Sequence, residues 1–310
     1  MHSIIMWLGQ IDEVMWSRCL VPLLIGTGLL FTFALKGMQF RFLFYSLKLA
    51  FTRSDDDAEG DISQFQSLMT ALAATIGIGS IVGVATAIAA GGFGAIFWMW
   101  VIALIGMVTK FAEAILAVKF RIVDEKGRMC GGPMYYLAHG LKMRWLGGLF
   151  AILCTLSSFA GGNLIQSNSI AAAVQDMIHL PPAWTGGILA LVTAVVLLGG
   201  IKSIGKVSSY LVPIAALFYV AAGLFILLVK FDRIPEGLML IVQSAFSGQA
   251  AFGGFLGASV MAAIQLGVAR GVSSNEAGLG SAPIAAAAAK TDVPGRQALI
   301  SMSGVFLSSF

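Results

Sequence analysis

Residues 75–80 read TIGIGS and lie in the middle of an apolar stretch at 68–90. Two glycines in a membrane-length segment weaken the helix and expose backbone carbonyls and amides, which lipid cannot satisfy. Such a break persists where it lines a protein cavity, and broken helices of this kind hold small solutes and ions near the bilayer midplane. A glycine-faced packing helix is the alternative, because small residues also let membrane helices approach closely.

Two charged residues, Lys110 and Glu113, lie deep in another apolar stretch, three residues apart. This spacing places both on one face of a helix. Because each charge alone is costly in a membrane, we expect the two to pair with each other. The pair then serves as a gate or ion-coupling element, or as a purely structural pair, and the structural role is favoured.

A polar cluster, GGNLIQSNS at 161–169, interrupts a further apolar helix. Its carboxamides can hydrogen-bond a zwitterionic solute without adding net charge. Hydrogen bonding between helices is the alternative role for many of these groups.

Two later segments are also rich in glycine and polar residues. SAFSGQAAFGG at 244–254 is read as a second helix interruption, with Phe246 and Ser247 as substrate contacts, or as an external loop. GVARGVSSNEAGLGSAP at 267–283 is read as a glycine-rich turn. Alternatively, Asn275 and Glu276 cap a short helix or close an inner gate with Arg270.

The composition indicates a membrane protein, since 58% of the 310 residues are hydrophobic and only 11% are charged. The three cysteines and three histidines are scattered, so no metal site is predicted. The sequence contains no HExxH, GxSxG or Walker-type motif, which disfavours an enzyme and predicts no cofactor. The net charge of +4 does not suggest a nucleic-acid partner.

The apolar runs predict an all-α polytopic membrane protein with about seven complete spans and a partial eighth. The predicted spans are 18–35, 68–90, 95–118, 146–178, 184–198, 210–229, 255–269 and the run from 298. A basic amphipathic segment at 38–53 is predicted to lie along the membrane surface. Most of the 19 basic residues fall in alternate loops, which places the amino terminus outside a plasma (inner) membrane.

The last apolar run, after Gln297, is too short to cross a bilayer. The sequence therefore predicts a carboxy-terminally truncated chain that ends inside a span. A re-entrant or packed terminal helix is the alternative.

Several strings together resemble the alanine or glycine:cation symporter family, the sodium:alanine symporters. They cover most of the chain, and the residues that carry the resemblance are TALAATIGIGSIVGVATAIAAGG at 70–92, AIFWMW at 95–100, KFAEAILAVKFR at 110–121, GGPMYY at 131–136, GNLIQSNSIA at 162–171 and GVARGVSSNEAGLGSAPIA at 267–285.

The resemblance implies a leucine-transporter-type inverted-repeat fold with one extra amino-terminal helix and an incomplete second repeat. The extra helix and the amphipathic segment then occupy 1–62, the first five-helix repeat 63–230, and the start of the second repeat 231–310. Aligned in this way, the substrate-binding residues are Gly77, Ile78, Gly79 and Gln166. The carbonyls of Ala74 and Thr75 are the implied sodium ligands.

This chain departs from the family pattern at two side chains. The family usually reads GTGN where residues 77–80 read GIGS, so Ile78 replaces a threonine hydroxyl and Ser80 an asparagine carboxamide. The family's last core helices, one of which supplies sodium ligands, have no counterpart in these 310 residues.

The resulting hypothesis is sodium-coupled symport of alanine or glycine across the lipid bilayer by alternating access. Two rivals are a non-transporting fragment and one half of a split transporter that needs a carboxy-terminal partner chain. A channel is disfavoured because no filter motif is present.

Overall fold

The computed structural model describes residues 6–7, 9–11, 14–52, 58–247 and 260–310, and they are predominantly helical, as predicted. A π-helical segment, Val14–Leu20, continues into α1. Two short helices then turn along the base of the bundle. The bounds of the first three helices are Val21–Ala34 for α1, Met38–Arg41 for α2 and Leu43–Ala50 for α3.

The predicted break separates two helices, α4 at Gln64–Thr75 and α5 at Ile78–Gly91. Helix α4 begins with a capping box, in which Ser63 and Gln66 exchange hydrogen bonds between side chain and backbone. It ends at the TIGIGS sequence, so the sequence-based prediction of an interruption is confirmed.

Helix α6, Gly94–Lys119, is the central element. More than half of its most apolar stretch is buried, against less than a quarter in the other long apolar helices of the described chain. Its small residues Ala103 and Gly106 allow neighbours to approach, and Met107 lies in a core cluster with residues of the last helix. Helix α6 therefore positions most of the elements described below.

A small hairpin and a helical arm follow α6. Strands β1, Ile122–Val123, and β2, Met129–Cys130, pair antiparallel. The remaining helices of this part are α7 at Pro133–Tyr135, α8 at Arg144–Ser157, α9 at Asn163–Ile178, α10 at Pro182–Leu198, α11 at Gly200–Val229 and α12 at Ile234–Phe246. A π-helical segment, Ser158–Gly162, joins α8 to α9, so the predicted long fourth span is continuous in helical character.

Three helices complete the described chain: α13 at Val260–Asn275, α14 at Ala282–Ala287 and α15 at Pro294–Ser309. Helix α15 packs against α6, with Ile300, Met302 and Val305 fully buried.

The predicted end of the seventh span was wrong, because helix α13 is longer than expected. The sequence predicted that the helix ends near residue 269 and that a polar loop follows, but the helix continues to Asn275. The reason is close packing on α6, where Gly267 and Gly271 have no room for a β-carbon against Ala95 and Ile102. Burial of this glycine face stabilises the helix through its polar last turn.

In the described ranges of the chain, four helices are long and apolar enough to cross a membrane by length and composition: Gly9–Ala34, Gln64–Gly91 with its break, Gly94–Lys119 and Gly200–Val229. Arg144–Ser157 and Pro182–Leu198 are shorter apolar helices. Large apolar side chains cover the outside of α9 to α11, as for Leu198, which is 89% exposed. This surface suits lipid, and the count of about seven spans remains a prediction.

Candidate functional site

The break between α4 and α5 is formed by two residues with non-helical backbone. Ile76 has φ −83° and ψ 86°, and Gly77 is extended. The Gly77 amide turns back to the carbonyl of Thr75 at 3.2 Å, so it no longer follows the helical pattern. The chain thereby presents the carboxyl end of α4 and the amino end of α5 at one place.

The break leaves backbone groups available for a ligand. Across the described ranges of the chain, the carbonyl of Ala74 and the amide of Gly79 have no hydrogen-bond partner. The carbonyl of Thr75 accepts a hydrogen bond from Ser80 Oγ at 2.7 Å. Unpartnered backbone groups at membrane depth require a polar cavity or a bound group.

Gln166 reaches the break from α9. Its Oε1 accepts a hydrogen bond from the amide of Ile78 at 3.4 Å. A β-carbon on Gly77 would lie 2.7 Å from Gln166 Nε2, so the carboxamide occupies the space that glycine leaves. The structure therefore brings Gln166 together with Gly77, Ile78 and Gly79, as the resemblance implied.

The rest of the polar cluster on α9 does not reach the break. Asn163 Nδ2 donates to the carbonyl of Ser158, and Ser167 Oγ donates to the carbonyl of Leu164. These are local bonds within one helical arm. Gln166 is thus the side chain of this cluster that contacts the break.

A cavity of about 570 Å³ opens beside the break. Its walls are mainly apolar, with Ser80, Ser274 and Ser308 among its polar residues. Its lining comes from the break, from α5, α6, α11, α13 and α15, and from the last residue: Ile76, Gly77, Ser80, Ile81, Val84, Ile96, Met99, Trp100, Ala215, Ala216, Phe218, Tyr219, Val220, Gly271, Ser274, Leu307, Ser308, Ser309 and Phe310.

The last turn of α13 touches the break directly. Ser80 Oγ and Ser274 Oγ lie 2.8 Å apart, within hydrogen-bonding distance. Sequence reasoning missed Ser274 as a site residue because it assigned the string SSNEAGLGSAP, residues 273–283, to a loop. The string SSNEAGLGS, which is part of the family resemblance, contains Ser274 and could have pointed to it. The sequence analysis considered only Asn275 and Glu276 of this string as functional residues.

A second helix interruption, residues 276–281, separates α13 from α14. Glu276, Gly278 and Gly280 all have positive φ angles, at 54°, 85° and 80°. Glycine adopts this conformation without strain, whereas Glu276 needs external stabilisation. The segment follows directly on Ser274 and so lies next to the first break.

Lys110 and Glu113 both bind this second interruption. Lys110 Nζ donates to the carbonyl of Asn275 at 3.0 Å, and Glu113 accepts from the amides of Gly278 at 3.1 Å and Gly280 at 3.2 Å. Among the residues the structure describes, no ion pair within 4.0 Å joins the two side chains. The expectation that they pair directly with each other was wrong, because backbone groups satisfy both.

Asn275 and Glu276 do not form the predicted gate with Arg270. Asn275 Oδ1 accepts from the amide of Ala277 at 2.9 Å, and Glu276 accepts from the hydroxyl of Ser281. Arg270 is exposed and has no ion pair in the described part of the chain. Only residues 276–281 form the glycine-rich turn that the sequence offered as the first interpretation, because residues 267–275 belong to α13 and residues 282 and 283 to α14.

Phe246 and Ser247 are not among the described residues that line the cavity at the break. The Phe246 ring packs on Phe97 and Trp98 of α6, at centroid distances of 5.1 and 5.8 Å, and Ser247 Oγ donates to the carbonyl of Gln243. The rest of the interruption predicted at 244–254 lies outside the described residues.

Arg121, just beyond the end of α6, ties the neighbouring loops together. Its guanidinium donates to the carbonyls of Ala287, Ala289, Glu59 and Thr291 at 2.8–3.1 Å. Burial lowers the pKa of Arg121, while nearby carboxylates act in the opposite direction. An arginine keeps its charge despite such a shift, so these four bonds hold α14 and the segment after it in place.

Comparisons with known proteins identify the family. The profile of the sodium:alanine symporter family matches residues 1–310. The chain belongs to this family. It is 53% identical to the sodium/alanine symporter AgcS of Methanococcus maripaludis, over 97% of this chain and 67% of that protein.

Other relatives are also transporters. The chain is 41% identical to the probable sodium/glutamine symporter GlnT of Bacillus subtilis, over 96% of this chain and 61% of that protein. It is 37% identical to the amino-acid carrier protein AlsT of the same organism, over 96% and 63%. These matches confirm that the chain is a multi-pass membrane transport protein and not an enzyme.

The chain spans about two thirds of the length of the curated relatives that it matches. Nothing in these comparisons supports a carboxy-terminal partner chain.

Proposed function

We propose that the protein takes up alanine or glycine together with sodium, by alternating access across a plasma (inner) membrane. The observation that carries this proposal is the break at 76–77, where an unpartnered carbonyl and an unpartnered amide lie beside a cavity. Family membership supplies the class of substrate and the coupling ion.

Sodium is assigned to the carboxyl end of α4. The carbonyl of Ala74 has no partner in the described ranges, and that of Thr75 is held toward the break by Ser80. Backbone carbonyls suit a hard cation, and the negative end of a helix dipole favours positive charge. Ala74 and Thr75 thus supply two of the oxygen ligands that a sodium ion requires.

The substrate carboxylate is assigned to the amino end of α5. The amide of Gly79 is unpartnered, and the positive end of the helix dipole attracts anions. Gln166 is placed to hydrogen-bond the zwitterion once it releases the amide of Ile78, to which it is bound at 3.4 Å. Gly77 keeps the approach open, because any β-carbon there would collide with Gln166.

The two helix interruptions support an inverted-repeat architecture of the leucine-transporter type. In such transporters a broken helix of each repeat meets the other near the midplane, and the described pair meets at Ser80 and Ser274. We assign the second interruption to 276–281. The extra segment 1–62 and the repeats at 63–230 and 231–310, with the amino terminus outside, remain part of this proposal.

Uptake against a gradient follows from ion coupling. Entry of one sodium ion releases about 2.3 kcal/mol per 100 mV of membrane potential, in addition to its concentration gradient. One relative is a probable glutamine symporter, and a cavity of about 570 Å³ also admits amino acids larger than alanine. The size of the substrate's side chain that the protein accepts therefore has to be tested.

Labelled alanine, glycine and glutamine uptake into proteoliposomes containing this chain tests the proposal. With an inward sodium gradient we expect accumulation of alanine or glycine, and none when potassium replaces sodium. Accumulation that is indifferent to sodium, or glutamine uptake in preference to the small substrates, would overturn it. Gly77→Ala should lower uptake by at least about tenfold. Gly83→Ala in α5, where an added β-carbon meets open space, should not lower it.

A further inference from the structure

The second interruption, residues 276–281, is held closed by hydrogen bonds to every one of its first five amides. The amide of Glu276 bonds to the carbonyl of Val272 in α13, and that of Leu279 to the carbonyl of Glu276. The amide of Ala277 bonds to the side chain of Asn275. The remaining two amides, at Gly278 and Gly280, bond to the two carboxylate oxygens of Glu113. An interruption with satisfied amides does not depend on a ligand for its backbone.

The two charges on α6 match the two helix ends that meet at this interruption. Lys110 Nζ donates to the carbonyls of Asn275 and Glu276 at the end of α13, where the helix dipole is negative. Glu113 accepts amides on the side that leads into α14. Both charged side chains are buried, at 3% and 9% exposure.

We propose that Lys110 and Glu113 are positioning residues for the solute and ion site, acting through the segment 276–281. By fixing the end of α13 they hold Ser274 2.8 Å from Ser80, and Ser80 in turn holds the carbonyl of Thr75. The assignment of a role in transport rests on the proposed function. We call the hydrogen bonds of Lys110 and Glu113 to this segment and to the end of α13 the clamp. The existence of the clamp rests on these hydrogen bonds alone.

A charge swap separates this clamp from a mutual ion pair. In the double variant Lys110→Glu/Glu113→Lys, opposite charges stay three residues apart on α6, so a mutual pair survives. The clamp fails, because a carboxylate then faces the carbonyls of α13 and an ammonium faces the amides of Gly278 and Gly280. Exposure of the segment 276–281 is therefore the diagnostic measurement.

Leu279→Cys reports on that exposure, since Leu279 is half-buried and lies between the amides of Gly278 and Gly280. Its side chain packs against a core cluster formed by Leu24, Ile102, Val268 and Val272. Its modification by a water-soluble thiol reagent is measured in proteoliposomes, in a background with Cys19, Cys130 and Cys154 replaced by alanine. We expect the swap to raise the labelling rate by about tenfold or more, the effect of losing one charge-assisted hydrogen bond. An unchanged labelling rate in the swap would overturn the clamp.

A second variant keeps the test decisive if the swap does not fold. Glu113→Gln retains one acceptor oxygen, so we expect a smaller rise in Leu279→Cys labelling, about threefold, with normal assembly. A rate equal to the parent's contradicts the clamp. Lys119→Met, an exposed site on the same helix, should leave labelling unchanged.

Labelling needs no transport, so the two proposals fail separately. If the parent takes up no amino acid but the swap still exposes Leu279→Cys, the clamp stands and the proposed function fails. If the parent transports, the clamp variants should also raise the sodium concentration for half-maximal uptake, by about tenfold for the swap. Higher labelling with unchanged sodium dependence would overturn the positioning role.

Discussion

The two helix interruptions, 76–77 and 276–281, come together where Ser80 contacts Ser274. They differ in whether their backbone groups have hydrogen-bond partners. At the first, the carbonyl of Ala74 and the amide of Gly79 have no partner in the described chain. At the second, buried charges from α6 satisfy the backbone. The comparison suggests that a break open to a cavity serves binding, while a break closed by side chains serves as a support for it.

The difference also explains where the charged residues are. An ammonium or carboxylate at the first break would compete with a sodium ion or a zwitterion. There the protein uses the neutral side chains of Gln166 and Ser80 instead. Lys110 and Glu113 lie at the second break instead. Each hydrogen-bonds backbone groups there, and both side chains are buried.

Removing one charge of the clamp should have the largest effect. Lys110→Met leaves the Glu113 charge buried without its cationic neighbour, so we expect a loss of about 3–5 kcal/mol in stability. The melting temperature in detergent should fall by about 5–8 °C. Lys119→Met provides the control on the same helix, and equal melting of the two variants would show that the second break is not held in this way.

Arg121→Lys tests a second contact that holds the region after the second break, where α14 lies. A lysine keeps the charge but cannot form the fork that reaches the carbonyls of Ala287, Ala289, Glu59 and Thr291. We expect a loss of about 1.5–3 kcal/mol, measured by the same melting experiment. Arg144→Lys, at an exposed position, should change nothing, and a full retention of stability in Arg121→Lys would contradict the role of the fork.

Gly77→Ala tests the open break. The added methyl group displaces Gln166, which it would meet at 2.7 Å, so sodium-driven uptake should fall by at least about tenfold. Stability should change little, since the displaced group is the end of a flexible side chain. Initial uptake rates compare it with Gly83→Ala, and similar rates in the two variants would argue against a binding role for this break.

Ser80→Ala should have the smallest effect. It removes hydrogen bonds to the Thr75 carbonyl and to Ser274 but leaves the backbone in place. The sodium concentration for half-maximal uptake should rise by about two- to tenfold, the range for neutral hydrogen bonds. Thr86→Ala, an exposed hydroxyl on the same helix, should leave this value unchanged; an equal shift there would point to a general effect of hydroxyl loss.

Sequence patterns predicted the parts of the fold that depend on local chemistry. The two glycines of TIGIGS predicted the break, because glycine weakens a helix regardless of its neighbours. The family resemblance selected Gln166, and the structure brings it to the break. Long apolar runs predicted the helices, although their ends depended on tertiary packing.

Long-range partners were beyond the reach of such patterns. The spacing of Lys110 and Glu113 suggested that they pair with each other, but their partners are backbone groups about 165 residues away. Ser274 was assigned to a loop because its polar neighbours hide the glycine face of α13. That face, with Gly267 and Gly271, extends the helix by packing on α6.

The most direct test of the open break is protection of Ile81→Cys, which lines the cavity and is 53% exposed. Its labelling by a water-soluble thiol reagent is followed in proteoliposomes, in a background without the three native cysteines. If the break binds solute and ion, labelling is slowed by sodium and alanine together, and not by alanine in potassium. Labelling at one rate in all these conditions would contradict a sodium and amino-acid site at the break.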